Sequence, residues 1–382
     1  MSGADTMLKC TLNLRNAGAD AIAALDKGGV ASVIQRIRFF HGSQILEDID
    51  NYGNLISMMT ALQQSEDGVS NKLEILQGTS YQKGLTLDEA TTNTNKAFNF
   101  SFNLMSILTL TNNYVPLFAM TGAPLRIEIQ LVNDINKILA STAAATFAAP
   151  PGISLLTNVE LVCNLMEISD TGMNMIHKAA GPVVQWVVSD YRNYGSNVVL
   201  GTGVTQVSVP IPAKFNSLKS LFWSFRSNSE GVATFFPNES CKFGLLEYTT
   251  RIGAHVLPAK APNTVPDFYS EVLRAISSVS DLHSPSSINK ANYEADIPVT
   301  YGADVTSKSF YVGLDLESYS NSDMANVYAG LNTSVDDIFF NPKFDGQILT
   351  NGDPTTRNVR IDTYALFDSL ISFENGLAIV QV

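Results

Sequence analysis

Three pairs of closely spaced carboxylates are the side chains in this sequence best suited to acid–base chemistry: Asp48 and Asp50, Asp315 and Glu317, and Asp336 and Asp337. A glycosidase needs two carboxyl groups that project into one cleft, and the i, i+2 spacing of Asp315 and Glu317 places both on one face of a strand. A solvated strand face accounts for that spacing equally well. Asp336 and Asp337 lack the pattern of an EF-hand loop, so they are not specific for calcium. The pairs leave a carbohydrate-active protein open as an alternative and predict no catalytic residue.

Histidine, cysteine and glycine patterns also give no metal, nucleophile or nucleotide site. The histidines are His41, His177, His255 and His283, and none has a second ligand at metal-binding spacing. The cysteines, Cys10, Cys163 and Cys241, are odd in number and far apart, which favours a reducing compartment over a disulfide framework. Gly201-Thr202-Gly203 lies between two β-rich runs and lacks a phosphate-loop lysine, so it predicts a hairpin turn. We predict no enzyme, cofactor or metal.

One aromatic cluster, SLFWSFR at residues 220–226, has the composition of a sugar-stacking platform. Phe222, Trp223 and Phe225 lie in a β-rich run, where large aromatic side chains most often fill a core. Trp186 in VVQWVV has the same kind of surroundings. The pattern therefore favours core packing over a binding surface.

Composition favours a protein that is packed against neighbours. Charged residues make up 16% of the 382-residue chain, against about 25% in ordinary soluble domains. The net charge of −12 argues against a nucleic-acid surface, which needs clustered Lys and Arg. Neither a signal peptide nor an apolar run of about 18 residues is present in the sequence. We expect a soluble protein that is made in the cytosol and does not bind nucleic acid directly.

Short β-rich runs separated by turn residues dominate the chain, so the predicted fold is all-β with a few short helices. Helical spacing is confined to a segment from Asp50, which Asp50 or Asn51 is expected to cap, to residues 169–180 and to a stretch from Pro266. The Ala-rich segment 139–152 predicts a long surface loop. Length and strand density predict two tandem eight-stranded jelly-roll β-sandwiches, residues 1–180 and 181–382. The carbohydrate-binding or glycoside-hydrolase alternative would use the same jelly-roll fold.

The clearest single strand is TGAPLRIEIQLVND at residues 121–134. Leu125, Ile127, Ile129 and Leu131 alternate with polar residues, so one face of the strand is predicted to join a core. The other face carries Arg126, Glu128 and Gln130. It is expected to meet the partner sandwich, a neighbouring subunit or solvent.

Three segments carry a resemblance to a known family. They are IQRIRFFHGSQILEDIDNYGNLISMMTAL at residues 34–62, the strand within 121–134, and NVELVCNLMEIS at residues 158–169. In order and type, these segments resemble the first-domain strands and helix of double jelly-roll major capsid proteins. The resemblance is closest in style to the capsid proteins of polinton-like viruses, virophages and related DNA viruses.

The resemblance implies a structural protein of an icosahedral virion. Its trimer would place six jelly rolls in a pseudo-hexameric capsomer, and capsomers would tile the shell. Implied partners are further copies of this chain, neighbouring capsomers, penton proteins and minor or cement capsid proteins. The acidic charge suggests that an internal membrane or basic proteins lie between shell and genome. The protein would be synthesised and assembled inside the host cell and reside in the virion capsid.

The chain departs from the family at one point. Family members have a longer lead before the first recognisable strand, whereas here the β-rich run at residues 7–14 comes almost at once. Two expectations follow from the resemblance: either the amino-terminal arm is short, or some of the chain is absent from this sequence. In either case the first sandwich is expected to differ from the family in its number of strands.

Overall fold

The structure is a computed structural model. It describes residues 1–16, 23–79, 95–108, 114–135, 139–141, 147–181, 183–201, 203–227, 238–276, 286–298, 307–317, 329–345 and 357–382. Strands dominate this part of the chain and helices are few, which confirms the predicted all-β class.

The amino-terminal unit contains two antiparallel sheets. Its strands are β1 (Ser2–Asn16), β2 (Ala23–Leu25), β3 (Ile34–His41), β4 (Gln44–Asp50), β5 (Asn95–Phe102), β6 (Leu125–Leu131), β7 (Leu139–Ser141), β8 (Phe147–Ala148) and β9 (Leu156–Asn164). One sheet has β1 at its centre, with β5 on one side and β9 and β8 on the other. The second sheet has the order β4–β3–β6, and β2 pairs separately with β7.

The carboxy-terminal unit is a larger sandwich. Its strands are β10 (Val183–Leu200), β11 (Thr205–Gln206), β12 (Val209–Ile211), β13 (Leu218–Ser227), β14 (Leu245–Ile252), β15 (His255–Leu257), β16 (Tyr311–Asp315), β17 (Ile338–Phe344), β18 (Arg357–Glu374) and β19 (Leu377–Gln381). One sheet has the order β10–β18–β13–β16, and β19 pairs with the end of β18. In the other sheet β17 pairs with β11 and β12 on one side and with β14 on the other, and β15 follows β14.

This strand order is that of a jelly roll. With β11 and β12 counted as one interrupted strand, the second unit has eight strand positions in chain order. One sheet takes positions one, eight, three and six, and the other takes two, seven, four and five. That interleaving of two Greek keys defines the jelly roll. Strand β19 is an addition to it.

The amino-terminal unit has the same order. Strands β1, β3, β4, β5, β6 and β9 match positions three to eight, because the sheets β9–β1–β5 and β6–β3–β4 correspond to eight–three–six and seven–four–five. A tight hairpin joins positions four and five in both units, through Gly42 (φ 61°) and Gly253 (φ 56°). The predicted tandem of jelly rolls is confirmed, and the described residues supply six of the strand positions of the first one.

Helices lie in the connections between strands. They are α1 (Tyr52–Gln63), α2 (Glu74–Gln77), α3 (Asp170–Ala180), α4 (Val265–Ala275) and α5 (Lys290–Tyr293), with a π-helical turn at Gly68–Leu73 and 3-10 turns at Gly29–Val33 and Leu117–Ala119. The predicted helices correspond to α1, α3 and α4. Helix α1 follows β4 just as α4 follows β15, so both units place a helix between positions five and six.

The core of the carboxy-terminal sandwich is rich in aromatic side chains, and both faces of its central strand, β13, are covered. Leu221, Trp223 and Phe225 of β13 face the inside of the sandwich, where Trp223 stacks on Phe340 with ring centroids 4.3 Å apart. Phe222 points to the opposite face and belongs to the core that continues into the first unit. Residues 218–225 of β13 are therefore buried without alternation between the two faces.

The segment 139–152 differs from its prediction as a surface loop. Leu139 in β7 and Phe147 in β8 are buried in the first core. Alanine is common in loops, but these two large apolar side chains gain more from burial than the segment gains from solvation. Residues 142–146 lie outside the described part of the chain.

Candidate assembly surfaces

The carboxylates that were candidates for glycosidase chemistry are bound within the fold. The amide of Glu317 donates to Asp315 Oδ1 at 3.0 Å, and burial raises the pKa of Asp315. Glu317 Oε1 lies 3.7 Å from Lys219 Nζ, which also lies 3.0 Å from Asp368 Oδ1. A glycosidase would need both carboxyl groups to face one sugar. The Glu317 carboxylate instead belongs to a largely buried ion cluster, which does not favour the carbohydrate-active alternative.

One carboxylate in each of the other two pairs forms an ion pair near the surface. Arg36 donates to both oxygens of Asp48, at 2.6 and 2.5 Å, while Asp50 accepts from the amide of Asn51 at 2.9 Å. Lys214 Nζ lies 2.8 Å from Asp337 Oδ1 and lowers the pKa of Asp337. Such exposed pairs contribute little to stability.

The histidines are separated by the fold. His41 is buried, and its Nδ1 accepts a hydrogen bond from the Ala378 amide at 3.3 Å. His255 is exposed at the start of β15, His177 belongs to α3, and His283 lies outside the described residues. Within the described ranges, no group of three or more His, Cys, Asp or Glu side chains is placed to hold a metal ion. Likewise, no described helix is long and apolar enough to cross a bilayer.

Two further predictions have outcomes in this structure. Phe222, Trp223 and Phe225 are all buried, as is Trp186, which confirms core packing. The hairpin predicted at Gly201-Thr202-Gly203 is wrong: Leu200 ends β10 in one sheet, whereas Thr205 begins β11 in the other. Glycines mark a change of direction in the chain, but they do not specify whether the next strand joins the same sheet. Thr202 itself lies outside the described residues.

A chain of polar contacts joins the two jelly rolls along α1. Tyr364 on β18 donates its hydroxyl hydrogen to the Asn51 carbonyl at 2.9 Å and accepts from Asn54 Nδ2 at 3.0 Å. Ser224 on β13 donates to Asn54 Oδ1 at 3.3 Å. Every group in this chain of hydrogen bonds is buried. Buried polar groups that satisfy one another fix a single relative position for the elements that carry them.

Asn51 shows that this contact overrides local helix capping. The residue precedes α1, but its side chain makes no capping hydrogen bond, and its backbone is left-handed with φ 49°. The amide Nδ2 donates instead to Asn193 Oδ1 and Asp362 Oδ1, each at 3.2 Å. The predicted helix start is confirmed, whereas the side chain expected to cap the helix binds the second unit.

Asp362 is the charged centre of the same contact. Its side chain is fully buried, and it accepts from Arg226 Nε at 2.8 Å and from Arg360 Nε at 3.0 Å. Arg226 also donates through its Nη2. Two guanidinium groups and the Asn51 amide therefore satisfy one carboxylate, which offsets the cost of its burial.

A second contact between the units brings two carboxyl groups together, with no guanidinium group between them. Glu47 on β4 and Asp190 on β10 are both buried and face each other. Burial raises the pKa of both groups, that of Asp190 to about 7. The neighbouring Asp190 also raises the pKa of Glu47, so the two carboxyl groups hold a proton between them. Glu47 Oε1 also accepts from the Ile107 amide at 2.9 Å.

The carboxy-terminal hairpin forms a third joint. Strands β18 and β19 turn at Asn375 (φ 51°) and Gly376 (φ 79°), and Gly376 O accepts from the Gly122 amide at 3.0 Å. A Cβ atom added to Gly122 would lie only 2.7 Å from Gly376 O. The hairpin therefore fits against the loop before β6 at backbone contact distance, which only glycine permits.

We expect Gly122→Ala to lower the free energy of unfolding by about 1–3 kcal/mol, because the added methyl must displace backbone on both sides of the joint. Urea denaturation of the purified protein measures the change. Gly203→Ala is the matched control, since nothing lies within 4 Å of a Cβ at Gly203. Equal urea midpoints for the two variants would show that the hairpin joint accommodates the added methyl group without loss of stability.

The polar face of β6 lies on the outside of the first sandwich. Glu128 bridges Arg38 on β3 and Arg126, at 2.9 and 3.2 Å, and the Arg126 guanidinium lies 4.5 Å from the ring centroid of Phe40. Arg126 is more than half exposed. Of the three expected neighbours, the partner sandwich is therefore not the one that meets this face, which is open to solvent or to another subunit.

An exposed apolar surface follows β9 and the residues after it. Its members share high exposure despite large apolar side chains: Val159, Leu161, Val162, Leu165, Met166 and Ile168. Exposed apolar side chains that follow one another along the chain in this way are typical of interaction surfaces.

Comparison with solved structures identifies the architecture. PBCV-1 VP54, as fitted into a cryo-EM reconstruction of the virophage Sputnik, matches 99% of this chain and 90% of its own length with a TM-score of 0.60 at 11% identity. The mavirus major capsid protein matches 99% of this chain and 83% of its own length (TM-score 0.52, 10% identity). The Faustovirus major capsid protein matches 97% and 77% (TM-score 0.57, 9% identity). The chain has the fold of the double jelly-roll major capsid proteins. No protein-family model and no curated protein matches its sequence.

Sequence reasoning missed the residues that fix the two halves of this double jelly roll. Asp362 and Asn51 are 311 positions apart, and Glu47 and Asp190 lie on strands of different units. One signal was present: Asp362 lies in a β-rich run, where a carboxylate needs a partner if both faces of the strand are covered. The sequence does not say which arginine supplies it.

Proposed function

We propose that this protein is the major capsid protein of an icosahedral DNA virus. In this proposal three copies form a pseudo-hexagonal capsomer, and capsomers tile the shell. The observation that carries it is the pair of jelly rolls in one chain, in the arrangement that matches major capsid proteins over nearly the whole chain. The role is structural rather than catalytic.

Symmetry links the double jelly roll to a hexagonal tile. A threefold axis that relates three chains with two similar sandwiches each produces six similar sandwiches around one centre. We propose that the sandwiches are residues 1–180 and 181–382. The buried contacts of Asn54, Tyr364 and Asp362 support this arrangement, because a tile needs its two sandwiches held at a constant angle.

Charge and composition support the proposed position in the virion. The low content of charged residues reduces the desolvation cost where capsomers meet. The net charge of −12 disfavours direct contact with the genome, so an internal membrane or basic proteins would lie beneath the shell. Penton proteins and minor or cement proteins would be the other partners, and assembly would take place inside the host cell.

Light scattering on the purified protein tests the oligomer. We expect a stable particle of three times the 41.4 kDa chain mass that persists on dilution, and electron microscopy of expressing cells should show regular particles. A heterologous threefold contact buries enough surface to survive dilution if it is of ordinary protein–protein size. A strict monomer at every concentration, with no particles in cells, would contradict the proposal.

A further inference from the structure

The contact between the two sandwiches joins surfaces of different kinds. The first unit contributes β4 and the start of α1, including Glu47 and Asn54. The second unit contributes the outward side of the sheet that contains β10, β18 and β13, including Asp190 and Tyr364. Tyr364 packs with the first core rather than with the core of its own sandwich. A contact between two unlike surfaces is heterologous, and such a contact can be repeated from one unit to the next.

Repetition of this contact makes one specific pair of surfaces meet. Because the two units share a strand order, each has both kinds of surface. In the second unit, β15 with residues 258–264 corresponds to β4 and the start of α1, and we call it the β15 surface. In the first unit, the outward side of β9, β1 and β5 corresponds to that of β18, β13 and β16, and we call it the β9 face. The contact inside the chain uses the other two surfaces.

The β9 face consists of polar side chains in register. Lys9 of β1 lies opposite both Ser101 of β5 and Glu160 of β9. Thr11 of β1 donates its hydroxyl hydrogen to Asn99 Oδ1 at 2.8 Å. The residues that alternate with these on β1 point into the first core, so the pleat turns this row to the outside. Lys9, Asn99 and Glu160 are exposed.

Apolar side chains border the β9 face at the end of β9. Val162 lies opposite Met7 and is 41% exposed, and Leu165, which follows the strand, is 68% exposed. In the second unit the chain leaves β18 in the same way and forms β19, which packs against β4 of the first unit. The residues after β9 are therefore in the place from which a neighbouring β15 surface would be contacted.

Charge complements the two surfaces. Residues 156–171, which include β9, contain three acidic residues and no Lys or Arg: Glu160, Glu167 and Asp170. Residues 251–266, which include β15, contain two basic residues and no Asp or Glu: Arg251 and Lys260. All five are exposed, and Lys9 offsets only one of the three negative charges. Opposite charge favours contact between the two surfaces and disfavours contact of either surface with its own copy.

We propose that the β15 surface of one copy docks on the β9 face of a second copy, so that three chains close head to tail around a threefold axis. This inference rests on the proposed function and assigns its subunit contact. The contact inside the chain and the contact between chains then alternate around the ring. Each places the β4 or β15 side of one sandwich on the outward sheet face of the next, and a closed ring uses every such surface.

Charge changes on the two surfaces test the proposal. One variant combines His255→Glu with Lys260→Glu on the β15 surface, and the other carries Val162→Arg on the β9 face. All three residues are exposed, so each chain is expected to fold. We expect both variants to lose the trimer in light scattering at concentrations at which the wild type stays trimeric. Val204→Arg is the matched control and should remain trimeric, because this valine is 62% exposed between β10 and β11, outside both surfaces.

Mixing the two variants gives a second measurement. The first keeps an intact β9 face and the second an intact β15 surface, so an equimolar mixture can form one intact contact. We expect a dimer of twice 41.4 kDa, which an unfolded variant could not form. A mixture that stays monomeric would overturn the pairing of these surfaces. Variants that stay trimeric would overturn it while the proposed function stands, whereas a monomeric wild type would contradict the proposed function and this contact with it.

Discussion

Replacing Asp362 by alanine is expected to lower the free energy of unfolding by about 3–5 kcal/mol. The carboxylate is fully buried between Arg226 and Arg360 and also accepts from Asn51 of the other sandwich. Removing it leaves Arg226, whose side chain is 14% exposed, without its carboxylate partner. The remaining positive charges then repel each other at the joint between the sandwiches. Urea denaturation at neutral pH measures the loss.

Two further variants separate charge from packing at this position. Asp362→Asn keeps the size of the side chain and one acceptor oxygen, so it should lie between wild type and Asp362→Ala. Asp337→Ala removes an equally charged aspartate that is exposed and paired with Lys214, and it should leave the denaturation midpoint unchanged. If Asp362→Ala unfolds at the same urea concentration as Asp337→Ala, the buried carboxylate does not stabilise the joint.

Strands and helices were predictable where apolar side chains recur at the period of a strand or a helix. The alternation at residues 125–131 gave β6, and the helical spacing after Asn51 gave α1, because each element has one covered face. The all-β tandem followed from strand density. Strand β13 was recognised as core only from its aromatic side chains, since an element covered on both faces has no amphipathic period.

The joint between the sandwiches was not predictable for a different reason. Tyr364, Asn54 and Asp362 are ordinary residues in their local segments, and they acquire a role only when sheet order brings β18 against α1. The wrong hairpin at Gly201 has the same origin, because sheet membership is decided by pairing at long range. Sequence patterns describe single elements, whereas assembly of the capsid fold depends on contacts between distant ones.

The described strands of the two sandwiches differ in their burial. The second sandwich has an aromatic core, whereas exposed apolar side chains follow β9 in the first. The joints at Asp362, Gly122 and Tyr364 attach the two units to each other, and their satisfied buried polar groups hold the units in one relative position.

The buried acid pair at the joint should make stability fall as pH rises. Because the folded-state pKa of Asp190 is raised from 3.8 to about 7 and that of Glu47 is also raised, the folded protein holds protons that the unfolded chain releases. The stability that the Asp190 proton provides is complete below pH 3.8 and is lost as pH increases through about 7, and the share of Glu47 is lost as pH increases through its own raised pKa. At about 1.4 kcal/mol for each pKa unit, the Asp190 share of the loss is on the order of 4 kcal/mol.

Glu47→Gln tests this origin of the pH dependence. Glutamine keeps the acceptor for the Ile107 amide and can donate to Asp190, but it removes one of the two titrating groups. The variant should therefore lose less stability than wild type between pH 4 and pH 8, while the buried Asp190 keeps its own share of the loss. Glu247→Gln removes a carboxyl that pairs with Lys343 at the surface and should keep the wild-type slope. The charges around Asp190 are Arg192, which favours its ionisation, and Asp48, which opposes it; both are present in all three proteins. Equal slopes in urea denaturation series for wild type and Glu47→Gln would assign the pH dependence to other carboxyl groups.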